Sequence, residues 1–187
     1  MRKYSSSELG VAAIPGPFSH YLNAHETAIL VTLLRRVNPR VMIEFGCNSG
    51  LTAARVLAHV PSLDKYIGVD VPHYFQPTLA CQRTEVPASP GAYANDERFY
   101  LHISASQLLN ARDLESCDAA FIDGDHSHAA VLHDSRLVRQ LVRRGGIIVW
   151  HDYQNPAVEV TEVIEKLARE GWPINCVENS WIAFCEM

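Results

Sequence analysis

The chain has 187 residues, of which 48% are hydrophobic and 20% charged, with a formal net charge of -5. That length buries a real core but is short for two independent domains, and the balance excludes disordered and fibrous classes. A chain of this charge has no global positive field to draw it to nucleic acid or an anionic membrane, so neither is expected as a partner.

Residues 1–10 carry two basic residues, then Tyr4, three serines and Glu8, with no apolar run of signal-peptide or transmembrane length, which points to a cytoplasmic protein. Residues 1–23 read as an N-terminal segment and residues 24–187 as one domain. The five cysteines are scattered and form no Cys-x-x-Cys pair, which argues for reduced thiols and against a cysteine zinc site.

From Ala24 to Val37, the residues Ile29, Leu30, Leu33, Leu34 and Val37 share one helical face, and Asn38-Pro39 ends the helix. The apolar run Val41 to Phe45 is too short for a helix and meets Gly46, Ser49 and Gly50, so it reads as a buried strand and turn before a helix over Leu51 to His59. Strands follow at Tyr66 to Val71, Phe99 to Ile103 and Ala119 to Asp123, with a short helix at Ser106 to Arg112. Helical spacing over Ala129 to Arg144 stops at Gly145-Gly146, and the strand Ile147 to Trp150 comes next. After an amphipathic helix at Val158 to Arg169, Ile174 to Glu178 and Trp181 to Cys185 read as an antiparallel hairpin.

This alternation predicts an α/β fold: a Rossmann-like three-layer sandwich around a seven-stranded, mostly parallel sheet, with ligands over the C-terminal strand ends. Pro72 to Asp96 breaks the rhythm with four prolines and no periodicity. Because it leaves a strand's C-terminal end, it is either a lid over the site or a plain connection.

Three groups of residues carry chemistry. Glu44, Gly46, Asn48 and Gly50 form a strand-to-helix turn whose glycines permit positive φ and close approach of a ligand, and whose helix N-terminus offers free N–H groups. Glu44 could hold an ammonium group there. Asp70 closes the next strand, where a carboxylate can accept hydrogen bonds from both hydroxyls of a ribose. Asp123, Asp125 and His126 follow one strand and His151, Asp152 and Tyr153 the next, which suits either a hard-cation site or a general base. The turn lacks Gly-x-Gly-x-x-Gly and the phosphate-loop lysine, which argues against nicotinamide and nucleoside-triphosphate sites.

Four stretches, Val41-Met-Ile-Glu-Phe-Gly-Cys-Asn-Ser-Gly50, Tyr66-Ile-Gly-Val-Asp70, Ala120-Phe-Ile-Asp-Gly-Asp-His126 and Gly145-Gly-Ile-Ile-Val-Trp-His-Asp-Tyr153, resemble in this order the class I S-adenosylmethionine (SAM) dependent methyltransferases. The likeness is to the small-molecule O-methyltransferases, among them catechol and antibiotic-sugar enzymes. It implies that Glu44, Gly46, Asn48 and Gly50 line the methionine part of SAM, that Asp70 binds the ribose, and that Ser104, Ala105 and Ser106 border the adenine. Asp123 also falls to the cofactor site. It implies as well a divalent cation, magnesium in the sugar enzymes, on Asp123, His151 and Asp152, with Asp125 or His126 as the base. Two departures bear on the metal: a histidine stands at 151 where a carboxylate is expected, and Tyr153 stands where the catechol register has asparagine. One imidazole among oxygen ligands admits manganese, iron or zinc as well as magnesium.

The expected activity is methyl transfer to a small-molecule hydroxyl. The non-enzyme alternative is a SAM-binding module or partner subunit, against which stand Asp123, Asp125, His126 and Asp152, none of them needed to bind SAM alone. A nucleic-acid methyltransferase is the remaining alternative, and its Asn-Pro-Pro-aromatic signature is missing after the fourth strand. The short N-terminal segment leaves the acceptor side little covered, which leads to the expectation of a homo-oligomer.

Overall fold

A computed structural model describes residues 1–187. In chain order the strands are β1 (Arg2–Tyr4), β2 (Val41–Phe45), β3 (Lys65–Asp70), β4 (Phe99–Ile103), β5 (Cys117–Ile122), β6 (Val142–Trp150), β7 (Ile174–Val177) and β8 (Ala183–Glu186). The helices are α1 (Ser6–Leu9), α2 (Ala24–Val37), α3 (Leu51–His59), α4 (His128–Leu141) and α5 (Val160–Arg169).

All eight strands form one sheet in the order β1-β7-β8-β6-β5-β2-β3-β4. Pairing is parallel except where β8 runs antiparallel to both β6 and β7. The seven expected strands and the terminal hairpin are all present. The eighth, β1, lies parallel to β7 at the sheet edge and comes from the N-terminal segment, which the sequence reading left without structure. Its three residues are too few for periodicity to reveal.

The central strands are apolar on both faces because both are covered. Ile43, Phe45, Ile67, Val69, Ile148 and Trp150 point to the layer of α4 and α5. Their neighbours Met42, Tyr66, Phe121, Ile147 and Val149 point to the layer of α2 and α3. Period-two alternation thus sorts one sequence into two cores.

Helix α4 ends at Leu141, three residues before the expected stop, because the chain swings into β6 at once. The Arg143 guanidinium donates to Asp118 Oδ1 (2.9 Å) and Gly145 N–H to the Met187 carbonyl (2.6 Å). Gly145-Gly146 therefore works inside the strand, where a Cβ on Gly146 would lie 2.3 Å from the Asp118 carbonyl oxygen.

Asp134, on α4, is fully buried (0% exposed), and neither carboxylate oxygen has a hydrogen-bond partner. Burial pushes its pKa up to about 7, and the Asp125 charge adds to it. The folded value exceeds the unfolded value of about 3.9, so the group's contribution is complete below about pH 4 and is lost as pH rises to about 7. Asp134→Asn should therefore stabilise the fold at about pH 8, by up to about 4 kcal/mol, and bring no gain at about pH 4. Thermal melts of both proteins across that range test this; a gain independent of pH would contradict it.

Candidate functional site

The C-terminal ends of β2, β3, β5 and β6 and the turn after β4 open into a cavity of about 300 Å³, at the lower end of the range for small-molecule sites. Its roof is the segment Phe75 to Pro87 of the proline-rich loop, and Ser19, His20, Tyr21 and Trp181 line another side. The roof is fastened by hydrogen bonds. Asn48 Nδ2 donates to the Glu85 carbonyl (2.7 Å), and the Gly91 and Tyr93 N–H groups donate to the carbonyls of Asn48 and Ser49 (2.8 Å each).

Of the residues expected in the site, Gly46, Asn48, Asp70, Ser104, Ser106, Asp123, Asp125, His126, His151 and Asp152 line the cavity. Glu44, Gly50 and Ala105 do not. Glu44 is sealed within the structure at 1% exposure, and burial pushes its pKa well above the usual carboxylate range. Glu44 is thus walled off from the cavity by the residues that line it.

The two glycines prove to be demanded by the chain itself. Both have φ +84°; a Cβ on Gly46 would lie 2.1 Å from the Asp123 carbonyl oxygen, and one on Gly50 would lie 3.0 Å from Ala94. Asp70 projects at the end of β3 and accepts N–H groups from Asn48 and, at 2.7 Å, Val71. Burial nevertheless raises its pKa.

Beside the turn lies a buried group of carboxylates and imidazoles. His151 Nδ1 is 3.2 Å from Asp123 Oδ1 and 3.1 Å from Asp152 Oδ2, while His126 Nε2 is 3.4 and 3.3 Å from the same two oxygens. Asp152 is held at φ +59°, an unusual conformation for a residue other than glycine. Burial opposes charge on His151, but Asp123, Asp152 and Glu26 outweigh it and raise its pKa to about 12. Burial likewise works against ionised Asp123, and the His151 and His126 rings outweigh it, lowering its pKa to about 2.

Two members of this group are not among the residues expected from sequence. Glu26, in the first turn of α2, faces His151 Nε2 (3.3 Å) and accepts the Trp181 N–H (2.8 Å). The available signal was its position three and four residues before Ile29 and Leu30 on the apolar face, but Asn23-x-x-Glu26 also reads as a helix cap, and Asn23 does cap the helix. Gln82, on a 3-10 turn of the roof, had no sequence signal. Its Oε1 accepts the His126 N–H (2.8 Å) and its Nε2 donates to the Gly124 carbonyl (2.9 Å), which fixes the amide's orientation. The same Nε2 sits 3.0 Å from His126 Nδ1, so that nitrogen accepts, and the proton of the neutral ring lies on Nε2 toward the carboxylates. Burial and the His151 charge oppose a second proton on His126, but Asp123 and Asp152 outweigh them and raise its pKa.

Asp125 is turned away from this group. Its Oδ1 accepts the Ser127 N–H (2.9 Å), and its Oδ2 faces Thr78 of the roof and Gln107 after β4 (3.4 Å each).

The ligand atoms of Asp123, His126 and Asp152 lie within 4.8 Å of one another, so a cation could be shared among them. His151 fits such a set as well, because a carboxylate behind the far nitrogen, here Glu26, is the usual support of a metal-bound imidazole. It must first lose its Nδ1 proton, so cation and proton compete for the place.

The sequence matches a family model described as a methyltransferase domain over residues 43–153. No curated protein sequence matches the chain. Among solved structures, the calicheamicin methyltransferase CalS11 superposes with a TM-score of 0.67 at 18% identity, covering 88% of this chain and 80% of that one. The O-methyltransferase NovP gives 0.64 at 11% identity, covering 90% and 82%. The SAH-bound methyltransferase PaMTH1 of Podospora anserina gives 0.64 at 12% identity, covering 88% and 78%. At these identities the likeness is one of fold.

Proposed function

The chain belongs to the methyltransferase-domain family, and from that premise we propose that it transfers a methyl group from SAM to a hydroxyl oxygen of a small-molecule acceptor. The observation that carries this reading is the cavity itself, with Asp70 at one side and the buried Asp123–His126–Asp152 group at the other.

SAM, when bound, supplies a methyl group on a positively charged sulfonium. Asp70 accepts the ribose hydroxyls, and Ser104 and Ser106, with Gln107 beside them, border the adenine. Asp125, facing Gln107, belongs to this end of the cavity and not to proton transfer. Asp123 Oδ1 is engaged by both imidazoles, whereas its Oδ2 has no partner in the chain and is free to orient the acceptor hydroxyl. His126, whose pKa the two carboxylates raise against burial, is the group able to store the proton that the hydroxyl gives up, at Nδ1 with release of the Gln82 amide, because Nε2 already carries a proton. The roof excludes water from the transfer. A divalent cation held by Asp123, His151 and Asp152 would polarise the acceptor oxygen as a Lewis acid.

The test is calorimetry with SAM and with SAH, its demethylated product, repeated with EDTA and with magnesium or manganese. Asp70→Ala should weaken SAH binding about a hundredfold, as expected for two hydrogen bonds to a charged acceptor. Absence of binding to the unsubstituted protein would end the methyl-transfer reading. Tight binding without turnover of any acceptor would favour a cofactor-binding module.

A further inference from the structure

The cavity has five lining carboxylates, Asp70, Glu85, Asp123, Asp125 and Asp152, and no lysine or arginine. Four of the five are engaged. Backbone N–H groups serve Asp70 and Asp125, and imidazoles serve Asp123 and Asp152. Glu85 is different. It stands on the roof just after the 3-10 turn Ala80–Thr84, and its own carbonyl is tied to the Asn48 side chain, so it hangs over the Gly46–Ser49 turn. Its carboxylate enters no ion pair, and besides the Gln82 amide it senses His126, Asp152 and Asp123. Burial pushes its pKa up, although the His126 charge and the Gln82 amide offset part of this.

Resting on the methyl-transfer reading, we propose that Glu85 receives the α-ammonium of the methionine part of SAM, the task that sequence suggests for Glu44. With adenosine between Asp70 and Ser106 and the methyl group directed at Asp123 and His126, the amino-acid tail runs along the glycine turn beneath Glu85. A carboxylate is the natural partner for an ammonium's three donors, and Glu44 is sealed away from the cavity. The cofactor thus brings a cation to the one lining carboxylate without an ion pair or a backbone N–H partner, and the roof is bound to the cofactor as well as to the turn.

Two ligands separate this role from a purely structural one. SAH carries the amino-acid tail, and 5′-methylthioadenosine shares its adenosine and thioether but lacks the ammonium. In calorimetry, Glu85→Gln should weaken SAH about tenfold and leave 5′-methylthioadenosine unchanged. An unchanged SAH affinity overturns the proposal. Equal weakening of both ligands also overturns it, since Glu85 would then only shape the roof. If the unsubstituted protein binds neither ligand, the methyl-transfer reading falls and takes this proposal with it; binding of both by that protein, with no difference in the variant, refutes the assignment of Glu85 alone.

Discussion

His126→Asn is expected to lower the rate of methyl transfer by about a hundredfold or more while leaving SAH affinity within a factor of about three. Both imidazoles of the buried group touch the two carboxylates and line the cavity, but His151 is also held from behind by Glu26, whereas His126 is not. Asparagine keeps a donor near them but cannot store a proton. The backbone hydrogen bond from residue 126 to Gln82 survives the change, so the roof stays fastened. Rapid-quench rates at saturating SAM, with a thermal melt as control, read the outcome. A rate within about threefold of the original would remove His126 from the chemistry. Asp125→Asn is the internal comparison: its carboxylate faces away, so the same assay should show a much smaller fall.

Gly46→Ala should be the most damaging small substitution in the floor. A left-handed backbone alone costs a residue with a Cβ about 1–2 kcal/mol. Here the added carbon would also lie 2.1 Å from the Asp123 carbonyl oxygen and 2.6 Å from the Gly124 Cα, both backbone and unable to swing aside. A loss of about 3 kcal/mol or more is expected, a large fraction of the usual stability of a domain. Urea unfolding measures it, and a midpoint equal to that of the unsubstituted protein would show that the turn and β5 can part without penalty. Because the displaced atoms belong to Asp123 and Gly124, any folded remainder should also bind SAH poorly.

What the sequence made legible was whatever depends on local pattern. The strands β2, β3, β5 and β6 each contain a short apolar run that leads into the polar residues of the site, so fold and site location came together. Contacts made across long distances in the chain were not legible. Glu26 meets His151 across 125 residues, and Gln82 meets His126 across 44. Direction was hidden as well. Glu44 and Asp125 stand at the expected strand ends, yet one side chain is sealed inside and the other is turned to Thr78 and Gln107, and side-chain direction is a product of packing. The glycine turn was recognised as a backbone of positive φ, and the structure adds a pressure the sequence did not show: the neighbouring chain excludes a side chain there.

The contact between Gly46 and Asp123 also divides the cavity into two parts with different freedom to vary. The floor is a set of strand ends wedged against one another, where a change made for one ligand disturbs the footing of the other. The rim is drawn from residues 19–21, the 75–87 roof and Trp181, three stretches far apart in the chain, and Tyr21 and Trp181 are exposed. Exchange of rim residues other than Gln82 and Glu85, which are tied to His126, Gly124 and Asn48, therefore leaves the floor standing. Within this architecture, new acceptor preferences can arise piecemeal at the rim while the floor stays fixed.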